Sequence, residues 1–449
     1  MQHEPDAAGP THATKGTPIT STTPVSGLQR LVECPKTMTN GPCGGVALDG
    51  TCEVDHSSVC VWWDQLNGPP LDHDVHISVK PPPDWSPGGR WDSAFENGTE
   101  IELDDIIDRD QRPERCGSRF ETLLRDCSFV VTAEINPPDS ADPTSVLDAM
   151  SSLIGFVDAV HMSDNSLASP HMCGLAMAAL IEQVGLETIL HMTCRDRNRN
   201  MLQADLLGAA ALGVKHVLCL TGDHPAIGDH PQAKPVFDLD AVSWATAATS
   251  VRSGAFMSGR QVTSAPQLMI GGGAEPTAPP FAVRPQRLIK KIAAGIDFAV
   301  TQVVYDMDMF RTYMSAVREL GLDRKIYILA SVGALSGPSM ARGMNAETPG
   351  IVVPDDVIAR IEAAPAGRRR DVGIDICAEQ IEELLETPGI SGIDVMDIDP
   401  ARYEEIVERC GLRVRRQAAI GQLRYRTRRN RMCRSTRATR RSIRQPIPR

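Results

Sequence analysis

Leu190–Pro225 reads LHMTCRDRNRNMLQADLLGAAALGVKHVLCLTGDHP and sets out a strand, a helix and a second strand. The first apolar run, from Glu187 to Cys194, is short and stops at the charged stretch Arg195 to Arg199, as a buried parallel strand stops at a loop. Leu202, Leu206, Leu207, Ala210 and Ala211 then recur at helical spacing, Gly213 stands where a helix ends, and Lys215 to Leu220 is the next run. A unit of this length requires a right-handed crossover between parallel strands, so His191 to Arg195 and Thr221 to His224 emerge on one face of the sheet. In α/β folds that face binds ligands.

From about Phe120 to Leu412 eight apolar runs repeat this pattern, near 129–135, 158–163, 187–194, 215–221, 267–271, 298–305, 325–332 and 390–397. Eight strand and helix units within one domain predict an α/β fold, a (β/α)₈ TIM barrel. The rival is an open doubly wound sheet. No GxGxxG opens a helix after the first strand, and Gly271–Gly273 runs into Ala274, Glu275 and Pro276 without the needed spacing.

At 449 residues, with 23% charged and 42% hydrophobic residues, the chain reads as globular rather than fibrous or disordered. No run of about 18 apolar residues occurs and no secretory apolar core opens the sequence, so no membrane association and a cytoplasmic protein are expected. The expected organisation is a disordered N-terminus over 1–27, a cysteine-rich domain over 28–63, a Pro/Gly-rich linker over 64–117, the barrel over 118–412 and an arginine-rich tail over 413–449. The tail holds 14 Arg and no Asp, Glu or Lys. With one aromatic residue and no helical period it reads as a disordered appendage rather than a nucleic-acid arm.

Cys34, Cys43, Cys52 and Cys60 sit among tight-turn residues in a segment with few hydrophobics. Four thiolates could bind zinc or an iron–sulfur cluster, although the spacing matches no common CxxC pair. The remaining cysteines, Cys116, Cys127, Cys173, Cys219, Cys377 and Cys410 among them, read as packing thiols.

Several polar residues fall at predicted strand ends, where a barrel does its chemistry. Glu134 ends the first strand in FVVTAEINPP, a place for a general acid or for a loop-capping carboxylate. His161, Asp164 and Asn165 follow the second strand, His191 and Thr193 lie in the third, Asp223 ends the fourth and Gln302 the sixth. A lone strand histidine is usually a satisfied core residue, but five such positions on one barrel end point to a site. Arg195, Arg197 and Arg199 alternate with Asp196 and Asn198, either as a self-paired loop or as a clamp for an anion such as a phosphate or a folate glutamate. The absence of GxSxG and HExxH argues against a serine hydrolase or a zinc protease.

TAEINPP, HMTCRDRNR, LLGAAALGVKHVLCLTGDHP and DFAVTQVVYD together resemble the methylenetetrahydrofolate reductase family over roughly residues 120–412. CPKTMTNGPCGG with CEV and CVWW resembles the cysteine-rich domain attached to some bacterial and archaeal members. The resemblance implies reduction of 5,10-methylenetetrahydrofolate to 5-methyltetrahydrofolate, in one-carbon and methionine metabolism, with FAD passing hydride from NADH or NADPH. It gives Glu134 the role of general acid, Asp223 a place near pterin and flavin, and Gln302 a folate contact. His191 and Lys291 match flavin contacts, and His161 is assigned to the same cofactor site. Three positions depart from the family pattern: Thr221 replaces an arginine that holds flavin phosphates, Gly271–Gly273 replaces an aromatic loop, and Arg284 replaces an acidic flavin contact. These departures leave open a folate-binding subunit that docks to an electron-transfer partner protein; a second alternative is a pterin-dependent methyltransferase, which would share a barrel and pterin site but need no nicotinamide.

Overall fold

The computed structural model describes residues 34–63, 77–79, 99–101, 103–348, 350–396 and 400–412. The termini and most of the expected linker lie outside the described residues. Eight parallel strands close a barrel: β1 (Val130–Ile135), β2 (Ala159–Met162), β3 (Thr188–Thr193), β4 (His216–Leu220), β5 (Met269–Ala274), β6 (Phe298–Thr301), β7 (Tyr327–Val332) and β8 (Gly392–Val395). The ring is closed by β8 pairing with β1, Asp394 opposite Thr132. All eight expected runs are strands of this barrel, so the periodic reading of the chain is borne out. No helix among the described residues is long and apolar enough to cross a membrane.

Helices follow the strands, and their starts are written in the sequence. α1 (Arg119–Arg125) starts at Ser118, whose hydroxyl accepts from the Glu121 amide, and α4 (Arg199–Ala211) starts at Asn198, which accepts from Asn200 and Met201. α2 (Thr144–Leu153), α3 (Gly174–Gln183), α5 (Ala241–Arg252), α6 (Arg284–Ala293) and α7 (Met307–Glu319) continue the outer ring. A short α8 (Leu322–Lys325) precedes β7. Three helices, α9 (Pro338–Glu347), α10 (Asp355–Ala363) and α11 (Arg369–Glu386), separate β7 from β8, and α12 (Pro400–Arg409) ends the barrel.

Strand alternation sorts side chains into two cores. Val131, Ala133, Leu190, Met192, Val217 and Cys219 face outward against the helices. Val130, Ala159, Ile189, Leu218, Met269 and Phe298 fill the barrel's lower interior together with Phe120 and Leu124 of α1, which plugs that end. Gly271 is required in this interior: a Cβ there would stand 2.4 Å from Phe298 Cζ and 2.8 Å from Leu218 Cδ1. Residues 103–117, within the expected linker, clamp the same lower end. Arg109 donates to Ile326 O at 3.0 Å and Arg112 to Ile296 O at 2.8 Å, while Arg115 and Arg252 both pair with buried Asp297. With the lower end sealed, the carboxyl ends of the strands form the mouth.

Candidate active site

Strand ends and register fix where the expected mouth residues stand. Glu134 is the register partner of His161, so the two stand side by side on the interior face of the β1–β2 pair. Glu134 is half-buried. Gln302 follows β6, its amide N–H bonded to Ala274 O at 2.7 Å and its side-chain Oε1 accepting from Val303 at 2.9 Å. Asp223 follows Gly222, which takes a φ of +90° and leaves no room for a Cβ, since Thr193 Cβ would lie 2.9 Å away. That turn is why a glycine must stand before Asp223.

Below the mouth lies a polar layer inside the barrel. Asp394 accepts from Thr132 Oγ1 at 2.8 Å and from Ser331 Oγ at 3.3 Å, and its Oδ1 lies 3.6 Å from His161 Nε2. His161 Nδ1 lies 3.0 Å from His191 Nε2, with the rings edge to face. Burial pushes both imidazoles down to about 3, so they are neutral, and burial pushes the Asp394 carboxyl up to about 6. His161 is 0% exposed and His191 7%. The expected cofactor contact at His161 is therefore corrected: the ring is sealed beneath the mouth and reaches it only through neighbours.

The arginine loop is ion-paired, within itself only at Arg195–Asp196 and otherwise with carboxylates outside the loop. Arg197 forms a two-pronged pair with Asp164 and a second pair with Asp205; Arg195 bonds Asp196 and Asp164 O, and Arg199 bonds Asp238. Asp164 in turn holds the Thr193 amide and hydroxyl, each at 2.8 Å. These charges fix the β3 loop rather than await an anion.

The cysteine-rich segment sits on the mouth, which the sequence did not indicate. Asp240 caps α5 and also accepts from the Thr39 amide (3.2 Å), the Asn40 amide (3.0 Å) and Asn40 Nδ2 (3.1 Å). Arg287 donates to Asn40 O at 2.6 Å, Arg284 to Cys43 O at 3.1 Å, and Thr37 to Phe237 O at 2.5 Å. The segment's own core is a buried Lys36–Glu53 pair. Among the described residues no group of three or more His, Cys, Asp or Glu is gathered to hold a metal ion, and Cys34, Cys43, Cys52 and Cys60 are free thiols. Burial pushes the Cys43 thiol up to about 12 and that of Cys60 to about 11, and Cys60 lies within electrostatic reach of Cys34 and Cys52. A buried ion pair and the seat on the barrel contribute to holding the module. Of the scattered cysteines, Cys116, Cys219, Cys377 and Cys410 are buried, but Cys127 and Cys173 are exposed.

The seat covers the side of the mouth that the resemblance gives to flavin. Thr221 accepts from the Ala241 amide at 3.1 Å and lies 3.8 Å from Met38 Sδ. Arg284 is 2% exposed and spends its guanidinium on Ala278 O, Pro279 O and Cys43 O. Lys291 is buried on Gly273 O and Glu275, 3.2 Å from its Oε1; burial depresses its ammonium while Glu275 opposes. These residues, as arranged, do not fit a flavin held on this side.

A closed parallel barrel with acid, amide and imidazole groups at the carboxyl ends of its strands defines a (β/α)₈ protein with its site at the mouth. The chain belongs to the methylenetetrahydrofolate reductase family: residues 119–411 match the family model described as Methylenetetrahydrofolate reductase, and residues 22–86 match Methylene-tetrahydrofolate reductase C terminal. Methylenetetrahydrofolate reductase 2 of Schizosaccharomyces pombe is 24% identical, covering 47% of this chain and 33% of that protein. Methylenetetrahydrofolate reductase 2 of Saccharomyces cerevisiae is 25% identical over 54% and 39%, and the 5,10-methylenetetrahydrofolate reductase of Pectobacterium carotovorum is 26% identical over 44% and 61%. The chain thus matches about a third of the length of the eukaryotic relatives.

Proposed function

We propose that the chain reduces 5,10-methylenetetrahydrofolate to 5-methyltetrahydrofolate with NADH or NADPH. The observation that carries this reading is the placement of Glu134, Asp223 and Gln302 at three strand ends of one mouth in a chain of this family. Glu134 supplies the proton to the departing ring nitrogen as the methylene bridge opens to an iminium, and a hydride to that carbon completes the methyl group. Gln302 bonds the pterin through its amide, and Asp223 holds the pterin's amino edge by accepting hydrogen bonds. No step is routed through flavin, because Thr221, Arg284 and Lys291 are engaged by the chain itself.

The test is oxidation of NADH and of NADPH by the purified full chain, dependent on methylenetetrahydrofolate, with an absorption spectrum taken on the same sample. Glu134→Gln should lower turnover by about 10²–10⁴-fold while 5-methyltetrahydrofolate still binds. Full activity in that variant refutes the acid role. Binding of 5-methyltetrahydrofolate with no nicotinamide oxidation until a second redox protein is added would favour the partner-subunit reading, which the covered flavin side supports.

A further inference from the structure

A barrel interior at the level of Thr132, His161, His191, Ser331 and Asp394 would ordinarily be apolar, and burying five polar side chains is costly unless each is satisfied. With Asp394 ionised, as at pH 7.5, the donor count along this chain of groups has one solution. Thr132 and Ser331 hydroxyls donate to Asp394, a carboxylate that can only accept. The third group facing that carboxylate is His161 Nε2, at 3.6 Å, which has no hydrogen-bond partner of its own. At this distance the contact is electrostatic more than a hydrogen bond, yet a lone pair turned toward the carboxylate would be repelled, so Nε2 carries the proton. A neutral ring has one N–H, which leaves His161 Nδ1 as an acceptor. His191 Nε2, 3.0 Å away, must then donate to it. What remains of the His191 polar edge is Nδ1, bearing a lone pair. His191 is the member of the layer that keeps some exposure, 7%, while His161, Thr132, Ser331 and Asp394 are fully buried.

We propose that Asp394, acting through His161, is a positioning residue that fixes His191 as its Nε2–H tautomer, so that the mouth is offered an acceptor nitrogen for an N–H donor of the bound reduced heterocycle. The identity of that heterocycle as a tetrahydropterin rests on the function proposed above; the tautomer does not. Burial keeps both rings neutral, as the relay requires. Asp394→Asn reverses the relay with little change in shape. The Asn carbonyl takes the two hydroxyls, its amide donates to His161 Nε2, His161 Nδ1–H donates to His191 Nε2, and His191 becomes Nδ1–H.

The experiment is a long-range ¹H–¹⁵N correlation spectrum of the full chain labelled with ¹⁵N-histidine at pH 7.5, with His161 and His191 assigned by His161→Gln and His191→Gln. Affinity for 5-methyltetrahydrofolate is measured on the same proteins. In the wild type both rings should give the Nε2–H pattern, and in Asp394→Asn His191 should change to Nδ1–H, with affinity falling about tenfold for one lost hydrogen bond. An Nδ1–H His191 in the wild type overturns the proposal even if the variant does not fold. An unchanged His191 tautomer in a folded Asp394→Asn also overturns it. A reversed tautomer with unchanged affinity overturns the acceptor role of His191. If the wild type binds no 5-methyltetrahydrofolate, the proposed function and the ligand half of the proposal fail, and the spectrum still decides the relay.

Discussion

Replacing Asp240 separates the seat of the cysteine-rich module from the barrel beneath it. The carboxylate is 1% exposed and serves two masters: it caps α5 through the Ser243 amide at 2.9 Å, and it receives the Thr39 and Asn40 amides and the Asn40 side chain. Asp240→Ala removes both roles. Loss of a cap costs about 0.5–2 kcal/mol, and each buried donor left without an acceptor about 1–3 kcal/mol. The donors of Thr39 and Asn40 regain water if the segment lifts off, so their share should appear as undocking rather than as unfolding of the barrel. Asp240→Ser keeps a good cap and loses the long-reach acceptor. Hydrogen exchange read by mass spectrometry should show protection over residues 36–45 falling about 100-fold in Asp240→Ser, the equivalent of about 3 kcal/mol, with β4 and α4 unchanged. Asp240→Ala should add a further loss of protection in α5. Retained protection over 36–45 in Asp240→Ser, or an equal loss throughout the barrel, would falsify this account of the seat. Acid provides an independent check. Burial alone would raise the Asp240 carboxyl, but Arg287 and the amides of Ser243 and Asn40 overcome it and hold it below the ordinary value. A depressed carboxyl contributes stability that is complete above its unfolded pKa of about 3.9 and is lost as pH falls through the folded value. The seat should therefore hold at pH 5 and loosen below about 4.

Two further perturbations test the sealed lower end and the interior. Asp297→Ala strands Arg115, Arg252 and Arg112 around a buried site, and urea denaturation should show a loss of about 3–5 kcal/mol; a loss under 1 kcal/mol would mean the arginines are solvated rather than paired. Gly271→Ala drives a methyl into Phe298 and should cost about 1–3 kcal/mol, with Phe298→Leu in the same chain recovering part of it in a double-mutant cycle. Additive losses would show that the ring is not what the glycine accommodates.

The barrel was legible in the sequence because its signals are local. Short apolar runs, helical periods and the glycine at 213 each act within a few residues, and the right-handed crossover rule then fixes one mouth. Glu134, Asp223 and Gln302 stood out for the same reason, since a polar residue at the end of a buried strand needs no distant partner to be noticed. The arginine loop stayed open between two readings because Asp164, Asp205 and Asp238 are 33, 8 and 39 residues from the arginines they pair with. His161 was assigned to the cofactor site as a polar residue near a strand end, and the sequence does not say how deep it lies. Depth is set by strand tilt and register, which brought Asp394, more than 230 residues away, to its Nε2. The seat of Asn40 on Asp240 joins residues 200 apart through side chains that carry no pattern of their own. Sequence by itself thus determined the strands, their order and the residues at their ends, through short-range periodicity and steric rules. Only the tertiary structure decided which charges neutralise one another, which ring is buried and which side of the mouth the cysteine-rich module covers, because those outcomes depend on contacts whose partners are distant in the chain and on the water they exclude.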